Sequence, residues 1–365
     1  MLATGFSWRG PWTQTYGGIK VLRVPMILRG RGGGSRLAAN YASFALAAAI
    51  VGTVRLRSGF DVIFVFEPSP VSVALPALVF GRLQSTPVVM WIQDVWPDIL
   101  AGTGAVTSPR LLSVIGMASR AIHRQCNHLL VTSEAFKTRL SLDVPVQDIG
   151  YLPQWVEDFY QPTTVPAGAP ERLELPDGFI VLFAGNLGSA QAFETVLAAA
   201  EKTGGTNIHW VILGDGRQRD WICEQIRIRG LTPSVHMLGR RPATSMPTFF
   251  ALADCLLVCL RDSPEFNGTI PAKLQSYMAC GRPVVAALEG EGRRIVEQAG
   301  CGVAVGSGRP DELAAAVQKL AAMIPEERNE LGSRGRRYYE QHFDRQKLVA
   351  RLRAVLTDVK ESCAR

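Results

Sequence analysis

Short apolar runs bounded by turn residues alternate along this chain with longer stretches of helical periodicity. In the first half the runs are Val21–Ile27, Asp61–Glu67, Pro87–Gln93 and His128–Val131. In the second they are Phe179–Ala184, His209–Leu213, Val235–Gly239, Cys255–Leu260, Pro283–Leu288 and Gly302–Val305. Most of these runs are apolar throughout, as expected of parallel strands buried on both faces. Between them, Leu37–Val54, Val71–Phe80, Arg110–Cys126, Ala272–Ala279, Pro310–Met323 and Pro325–Phe343 read as helices, the turn Gly185–Gly188 is read as opening a helix that runs to about Ala200, and a tail helix is predicted over Asp344–Lys360. Such alternation predicts an α/β protein with doubly wound parallel sheets. Gln161–Pro176, rich in Pro, Ala and Thr, reads as a linker between an N-terminal domain (1–160) and a C-terminal one (177–343), with 344–365 as a tail.

Leu37–Val54 is near the lower limit for a membrane span. Asn40, Tyr41 and Ser43 interrupt it, and it is rich in alanine, so a helix packed on the sheet is expected instead.

Composition narrows the reading. With 365 residues and 47% apolar content, the chain can fill two domain cores. Its seven cysteines contain no Cys-x-x-Cys pair, and several lie in apolar runs, which fits reduced core residues of a cytosolic protein. No Asp-x-Asp or His-rich cluster suggests a metal, and no secretory pattern is read at the start. Charge is uneven: through Arg124, twelve Lys/Arg accompany four Asp/Glu, whereas the remainder has 27 against 28. A basic N-terminal half suits an anionic membrane surface or a phosphate-bearing acceptor. A plain solvated basic surface is the alternative; nucleic acid is not expected, because no recognition motif accompanies the charge.

The candidate chemistry centres on 254–292. The run Cys255–Leu260 leads into a loop carrying Glu265, Asn267, Gly268 and Thr269. Pro271 stands at a helix start, the helix Ala272–Ala279 stops at Gly281, and Pro283–Leu288 forms the next strand. This β–loop–α–β unit aims unpaired N–H groups and a helix N-terminus out of the carboxyl end of a parallel sheet, a place receptive to phosphate. Lys273 adds a full positive charge in the first helical turn. An ordinary βαβ unit with an incidental lysine is the bland alternative.

The residues Pro271-Ala-Lys-Leu274 and Tyr277-Met-Ala-Cys-Gly-Arg-Pro283 resemble the nucleotide-sugar site of family 4 retaining glycosyltransferases, specifically their bacterial surface-polysaccharide branch. Gln93-Asp-Val-Trp-Pro-Asp98 is similar to that family's Gln-Asp-Leu-Trp-Pro-Glu motif, and Tyr41–Phe44 to its Tyr-x-Ser-Phe. The resemblance implies the GT-B fold: two Rossmann-like domains facing a cleft, with the tail helix crossing back to the first. It implies that Glu265 faces the donor sugar, and that Gly185, Asn186 and Gly188 let a diphosphate approach the backbone. Thr269, Ile270 and Leu274 join the donor-binding set, and the end of the strand at Gly239 carries the base. Arg217 is a candidate phosphate clamp or else a solvated arginine. Asp94 reads as a hydrogen-bond partner of an acceptor hydroxyl or as a turn cap, and Glu265 could equally be a solvated loop carboxylate.

Three departures qualify this picture. Many family members carry Glu-x7-Glu in the loop, the second glutamate binding ribose; here Lys273 stands there, able to neutralise a diphosphate but not to accept from hydroxyls. Gln154 replaces the asparagine of the family's Pro-Asn-Trp hinge. The usual opening strand and Gly-rich loop are not seen before Gly18, so the first strand is expected to be missing.

The function implied is transfer of a sugar, an amino sugar by the branch resemblance, from a nucleotide-diphosphate donor to a polyprenyl-diphosphate-linked saccharide in O-antigen, capsule or exopolysaccharide assembly. The reaction would be metal-free and need no cofactor, at the inner membrane's cytoplasmic face. A GT-B nucleotide-sugar 2-epimerase is a second reading, and a non-catalytic nucleotide-sugar-binding protein a third.

Overall fold

A computed structural model describes residues 11–28, 34–56 and 59–364. Trp8, Arg9 and Gly10 of the opening segment, and 29–33 of the Gly/Arg loop, lie outside the described residues. The chain forms two compact units. The first takes the described residues to Trp96, Val114–Leu130 and the chain from Leu356; the second takes Pro97–Ser113 and Val131–Val355.

The second unit is built on six parallel strands: β7 (Phe179–Ala184), β8 (Ile208–Leu213), β9 (Val235–Gly239), β10 (Cys255–Cys259), β11 (Val284–Ala287) and β12 (Gly302–Val305). Their lateral order is β9-β8-β7-β10-β11-β12. The order reverses between β7 and β10, and a crevice opens at the carboxyl ends of strands at such a reversal. Because successive side chains of a strand point to opposite faces, each strand feeds two cores. Leu182, Val211, Val258 and Ala286 pack on one side with the helices Met246–Leu252, Ala272–Ala279 and Pro325–His342. Val181, Trp210, Leu257 and Val285 pack on the other with Phe193–Lys202, Arg219–Ile228 and Pro310–Ala322. This double burial accounts for the unbroken apolar runs in the sequence.

In the first unit, β3 (Ile63–Glu67) and β4 (Val88–Ile92) pair in parallel, from Ile63 opposite Val88 to Glu67 opposite Ile92. Every residue of β4 is buried. The strand β5 (His128–Val131) is where the chain passes between units: Asn127 N–H donates to Val88 O at 2.8 Å in the first, and Leu152 N–H to Val131 O at 2.8 Å in the second. The last helix, Arg345–Ala364, begins with Arg345 paired to Asp158 (2.5 Å) in the second unit and later pairs Lys360 with Asp61 (2.8 Å) in the first.

Three local readings are corrected. Thr13–Tyr16 (β1) and Ile19–Leu22 (β2) form an antiparallel hairpin of their own, which pairs with none of the parallel strands among the described residues, so the segment before Gly18 is not strand-free and the strand expected over Val21–Ile27 ends at Leu22. The hairpin's turn residues Gly17 and Gly18 have φ of +53° and +81°, the conformation that two-residue hairpins demand. The pair went unread because it is mostly exposed and lacks an apolar run. The helix Gly34–Arg55 is long and apolar enough to cross a membrane, and it packs chiefly on 71–73 and the helix Ala74–Gln84 rather than as a cover for the sheet. Leu46, Ile50 and Val54 are left 65%, 55% and 53% exposed. Finally, the glycine turn 185–188 does not open a helix. A single 3-10 turn (Ser189–Gln191) follows it, and the helix begins at Phe193 after Ala192 adopts φ +48°.

The strand ends tolerate no added methyl at Gly214. Its φ is +143°, and a Cβ there would lie 1.8 Å from Gly185 O. Gly214→Ala is expected to cost about 2–6 kcal/mol, combining backbone strain with overpacking, and to lower Tm accordingly in a thermal melt.

Candidate active site

The site is assembled by backbone contacts among strand ends. Gly185 N–H donates to Leu213 O (2.9 Å), Gly214 N–H to Gly239 O (2.9 Å), and Leu187 N–H to Asp215 O (2.9 Å). The turns after β7, β8 and β9 are thereby laced into one floor. Above it lies a cavity of about 740 Å³ in the second unit, whose lining includes Gly185, Asn186, Gly214, Asp215, Arg240 and Lys273. Its apolar wall includes Trp155, Tyr160 and Phe250. Tyr160 stacks on Phe250, centroids 6.1 Å apart at 14°.

Helix Ala272–Ala279 is fixed against that floor. The fully buried Tyr277 hydroxyl accepts from Ala184 N–H at 3.0 Å, tying the helix to the last residue of β7. Lys273 lies one turn earlier on the same face. Its Nζ sits 3.9 Å from the centroid of Phe183 and donates to Gln191 Oε1. A Cβ on Gly185 would approach Lys273 Cε and Nζ at 3.4 Å, so the glycine leaves that side of the amine open to the cavity. Burial pushes the Lys273 amine down to about 8, with the Cys259 thiol opposing the shift. A cation thus stands at the strand-order reversal beside exposed backbone, partnered by a neutral amide and a ring face. That arrangement can stabilise negative charge arriving from the cavity.

Of the predicted donor residues, Gly185, Asn186 and Lys273 line this cavity. Gly188 packs under Asn186, where a Cβ would meet Nδ2 at 2.8 Å. Gly239 contributes its carbonyl to Gly214, and Arg217 is exposed on the following turn. Ile270 and Leu274 are core residues, 8% and 0% exposed, whose side chains anchor the loop and helix. Thr269 Oγ1 is buried and has no hydrogen-bond partner among the described residues. Glu265 lies in the short helix Pro264–Asn267, accepts from Ser263 Oγ, and packs on Gly102, whose added Cβ would meet Glu265 Cβ at 2.7 Å. It is half-buried and outside the cavity lining.

Sequence reasoning passed over Arg240 and Arg241, which directly follow β9 and line the cavity. Arg241 is neutralised by Glu174 from the linker segment, Nε to Oε2 at 3.0 Å. Two arginines immediately after a strand end were a legible signal. Tyr277 and Gln191 were not, since their roles depend on contacts across the fold. At the hinge, Gln275 Nε2 donates to the backbone carbonyl of Gln154 at 2.8 Å, an interaction indifferent to the side chain at 154.

Asp94 belongs to the first unit, just after β4, and burial raises its carboxyl to about 6. Nearby, Trp96 Nε1 donates to Ser69 Oγ at 3.2 Å, and Tyr41 meets the Trp96 ring edge-on at 6.3 Å.

Parallel α/β layers with a cavity at the strand-order reversal define a nucleotide-binding type of architecture, and comparison with solved structures gives it the GT-B fold. The Anabaena protein Alr3699/HepE, solved in complex with UDP, superimposes with a TM-score of 0.70 at 16% identity, over 90% of this chain and 84% of that one. Residues 169–338 match the family model "Glycosyl transferases group 1". The putative colanic acid biosynthesis glycosyl transferase WcaI of Escherichia coli is 23% identical over 217 residues, 57% of this chain and 53% of that protein. The chain therefore spans about half the length of that relative. The probable glycosyltransferase WbjE of Pseudomonas aeruginosa is 21% identical over 319 residues, 84% of this chain and 78% of its own.

The amine at 273 sets a pH dependence. Its pKa of about 8 means that the charged form predominates below that value and is lost above it. Affinity for a diphosphate anion, read with inorganic pyrophosphate, is expected to weaken as pH rises through 8. Lys273→Arg, with its permanent charge, should remove that dependence while binding less well at pH 7 because its fork does not fit the slot. Isothermal titration across pH 6.5–9.5 (roughly the accessible window around that pKa) checks both.

Proposed function

We propose that this protein is a retaining glycosyltransferase of surface-polysaccharide assembly, using a nucleotide-diphosphate sugar as donor. The observation that carries the reading is Lys273, uncompensated by a carboxylate, held beside the Gly185 backbone at the reversal point of the sheet. The names of the group 1 family model and of the E. coli and P. aeruginosa relatives support it.

In the reaction, the bond between the anomeric carbon and the diphosphate oxygen breaks and a bond from that carbon to the acceptor hydroxyl oxygen forms. The hydroxyl proton passes to the departing phosphate on the same face, so configuration is retained and no separate base is required. Lys273 and the N–H groups of the 185–188 turn oppose the charge that develops on the leaving diphosphate; each such preorganised donor contributes about 3 kcal/mol of barrier lowering. Asn186 and Asp215, both in the lining, orient the donor, and Arg240 supplies a further cation beyond the end of β9. Glu265, in the short helix Pro264–Asn267 outside the cavity lining, is assigned to the donor sugar on the motif resemblance alone. The acceptor we infer is a polyprenyl-diphosphate-linked saccharide; the basic first unit and its exposed apolar helix Gly34–Arg55 suit an anionic membrane surface. Residues 161–176 act as the linker between acceptor-side and donor-side domains.

Lys273→Ala should lower kcat/KM by about 10²–10³, the scale of losing one transition-state donor. Donor screening with UDP-, GDP- and dTDP-sugars against membrane extract supplies the assay, and an alanine variant of undiminished turnover would remove Lys273 from the mechanism. Wild-type transfer is expected to persist in EDTA. Loss on chelation with recovery in Mg²⁺ would refute the metal-independent reaction.

A further inference from the structure

A helix on a protein surface ordinarily turns apolar side chains inward and polar ones to water. The helix Gly34–Arg55 does the reverse. Between Leu37 and Val54 its exposed positions are Ala38, Ala42, Leu46, Ile50 and Val54, one in every four residues and all apolar. Its polar side chains are used elsewhere. Asn40, 2% exposed, donates from Nδ2 to Ile27 O, and Ser43 Oγ accepts from Ile27 N–H at 2.9 Å. Thr53 Oγ1 turns back to Ala49 O at 2.9 Å. The helix Ala74–Gln84, packed on this one, repeats the spacing with Leu75, Val79 and Leu83 exposed. Single apolar residues on a surface are ordinary, but an unbroken stripe about 24 Å long, at 1.5 Å of rise per residue, marks a contact face.

Charge says what covers that face. Residues 1–60 hold eight Lys/Arg and no Asp or Glu, and the first acid is Asp61. Arg36 and Arg55 bracket the uncharged run Leu37–Val54, and the hairpin adds Lys20 and, just past it, Arg23. Between the hairpin and the last turns of the helix lies a cavity of about 350 Å³, walled by Trp12, Leu22, Pro25, Ile50 and Val54, with Arg23 and Arg55 in its lining. A second copy of the chain is a poor match for this surface. Self-complementary pairing would set these cations against the same cations of the other protomer, with no acid in the segment to answer them. An anionic phospholipid leaflet matches both parts of the pattern, with acyl chains for the stripe and phosphates for the bracketing cations. The helix is held along one side by the helix Ala74–Gln84 and by Ile27, so lipid reaches only its other side, and it lies along a bilayer instead of crossing it. Trp12 and Tyr16, both exposed at the hairpin, are side chains that settle where chains meet headgroups.

We propose that the helix Gly34–Arg55 is an in-plane membrane anchor. Its stripe Ala38–Val54 enters the acyl chains of an anionic leaflet, and Arg36 and Arg55 meet lipid phosphates at its two ends. The membrane association named with the proposed function thereby gains a defined surface. The anchor itself rests on the helix and its charges, not on the transfer reaction.

The test uses the full chain and vesicles of phosphatidylcholine with or without phosphatidylglycerol. Wild type should partition onto the anionic vesicles, less tightly as salt rises, and should pass to fresh vesicles on mixing, as a reversibly held anchor does. Leu46→Glu and Ile50→Glu, at exposed positions, should melt like wild type. Each should weaken partitioning about tenfold, the scale of one large apolar side chain withdrawn from lipid. Lys20→Gln and Arg55→Gln should each weaken binding to anionic vesicles about fivefold and leave binding to neutral ones unchanged. No binding to anionic vesicles would overturn the proposal, as would Glu variants that bind like wild type. A Glu variant that melts well below wild type would show the stripe packed inside the protein, which also overturns it. Protein that never leaves its first vesicles would mean a helix across the bilayer. A dimer, seen by light scattering and dissociated by Leu46→Glu, would give the face to a second copy. Either result refutes the in-plane anchor. Vesicle binding is read without donor or acceptor, so failure of transfer with every donor would refute the transferase reading and leave this result standing.

Discussion

The structure depends on two backbones coming closer than side chains allow. Gly185 and Gly214 meet at the carboxyl ends of β7 and β8 with no room for a Cβ between them. That approach lets the turns after β7, β8 and β9 bind one another through main-chain hydrogen bonds. The floor they form presents bare backbone at its glycines, and its polar groups are held in place by the sheet itself. The fold then needs only one helix to complete the site, and Tyr277 attaches that helix to the end of β7. Sheet register and the position of Lys273 are in this sense one constraint.

Much of this was readable from residue order. The uninterrupted apolar runs announced strands buried twice over, and strand alternated with helix at the spacing parallel sheets require. Lys273 was legible because it stands in the first turn of a helix at the carboxyl end of a parallel strand, and because Pro271–Leu274 and Tyr277–Pro283 resemble a nucleotide-sugar motif. What escaped was set by tertiary contact. The hairpin Thr13–Leu22 is polar and exposed, so periodicity could not flag it. The 3-10 turn at Ser189–Gln191 replaced the expected helix start, and that places Gln191 where it can reach Lys273. Ile270 and Leu274 sit among site residues in sequence yet serve the core, since only alternate positions of a loop and helix can face a cavity.

Lys273 and Glu67, in different units, show the same physics with opposite charge. Burial drives each toward its neutral form. In the lysine a ring face and an amide oxygen partly offset that drive, and the amine keeps a charge it can place against phosphate. In the glutamate no cation intervenes, and the group stays an acid. Desolvation is costly to stability in both places.

The partner chosen for Lys273 has a chemical consequence of its own. A carboxylate would have held the proton on the amine; Gln191 cannot. At cellular pH an appreciable share of this side chain is therefore free amine, facing a cavity of about 740 Å³ that admits small molecules. A lone pair in that setting is a nucleophile. Mild acylating or aldehyde reagents would find a reactive handle there, shielded whenever an anionic ligand sits in the cavity and draws the proton back, so that the degree of labelling at this one residue reports occupancy of the site.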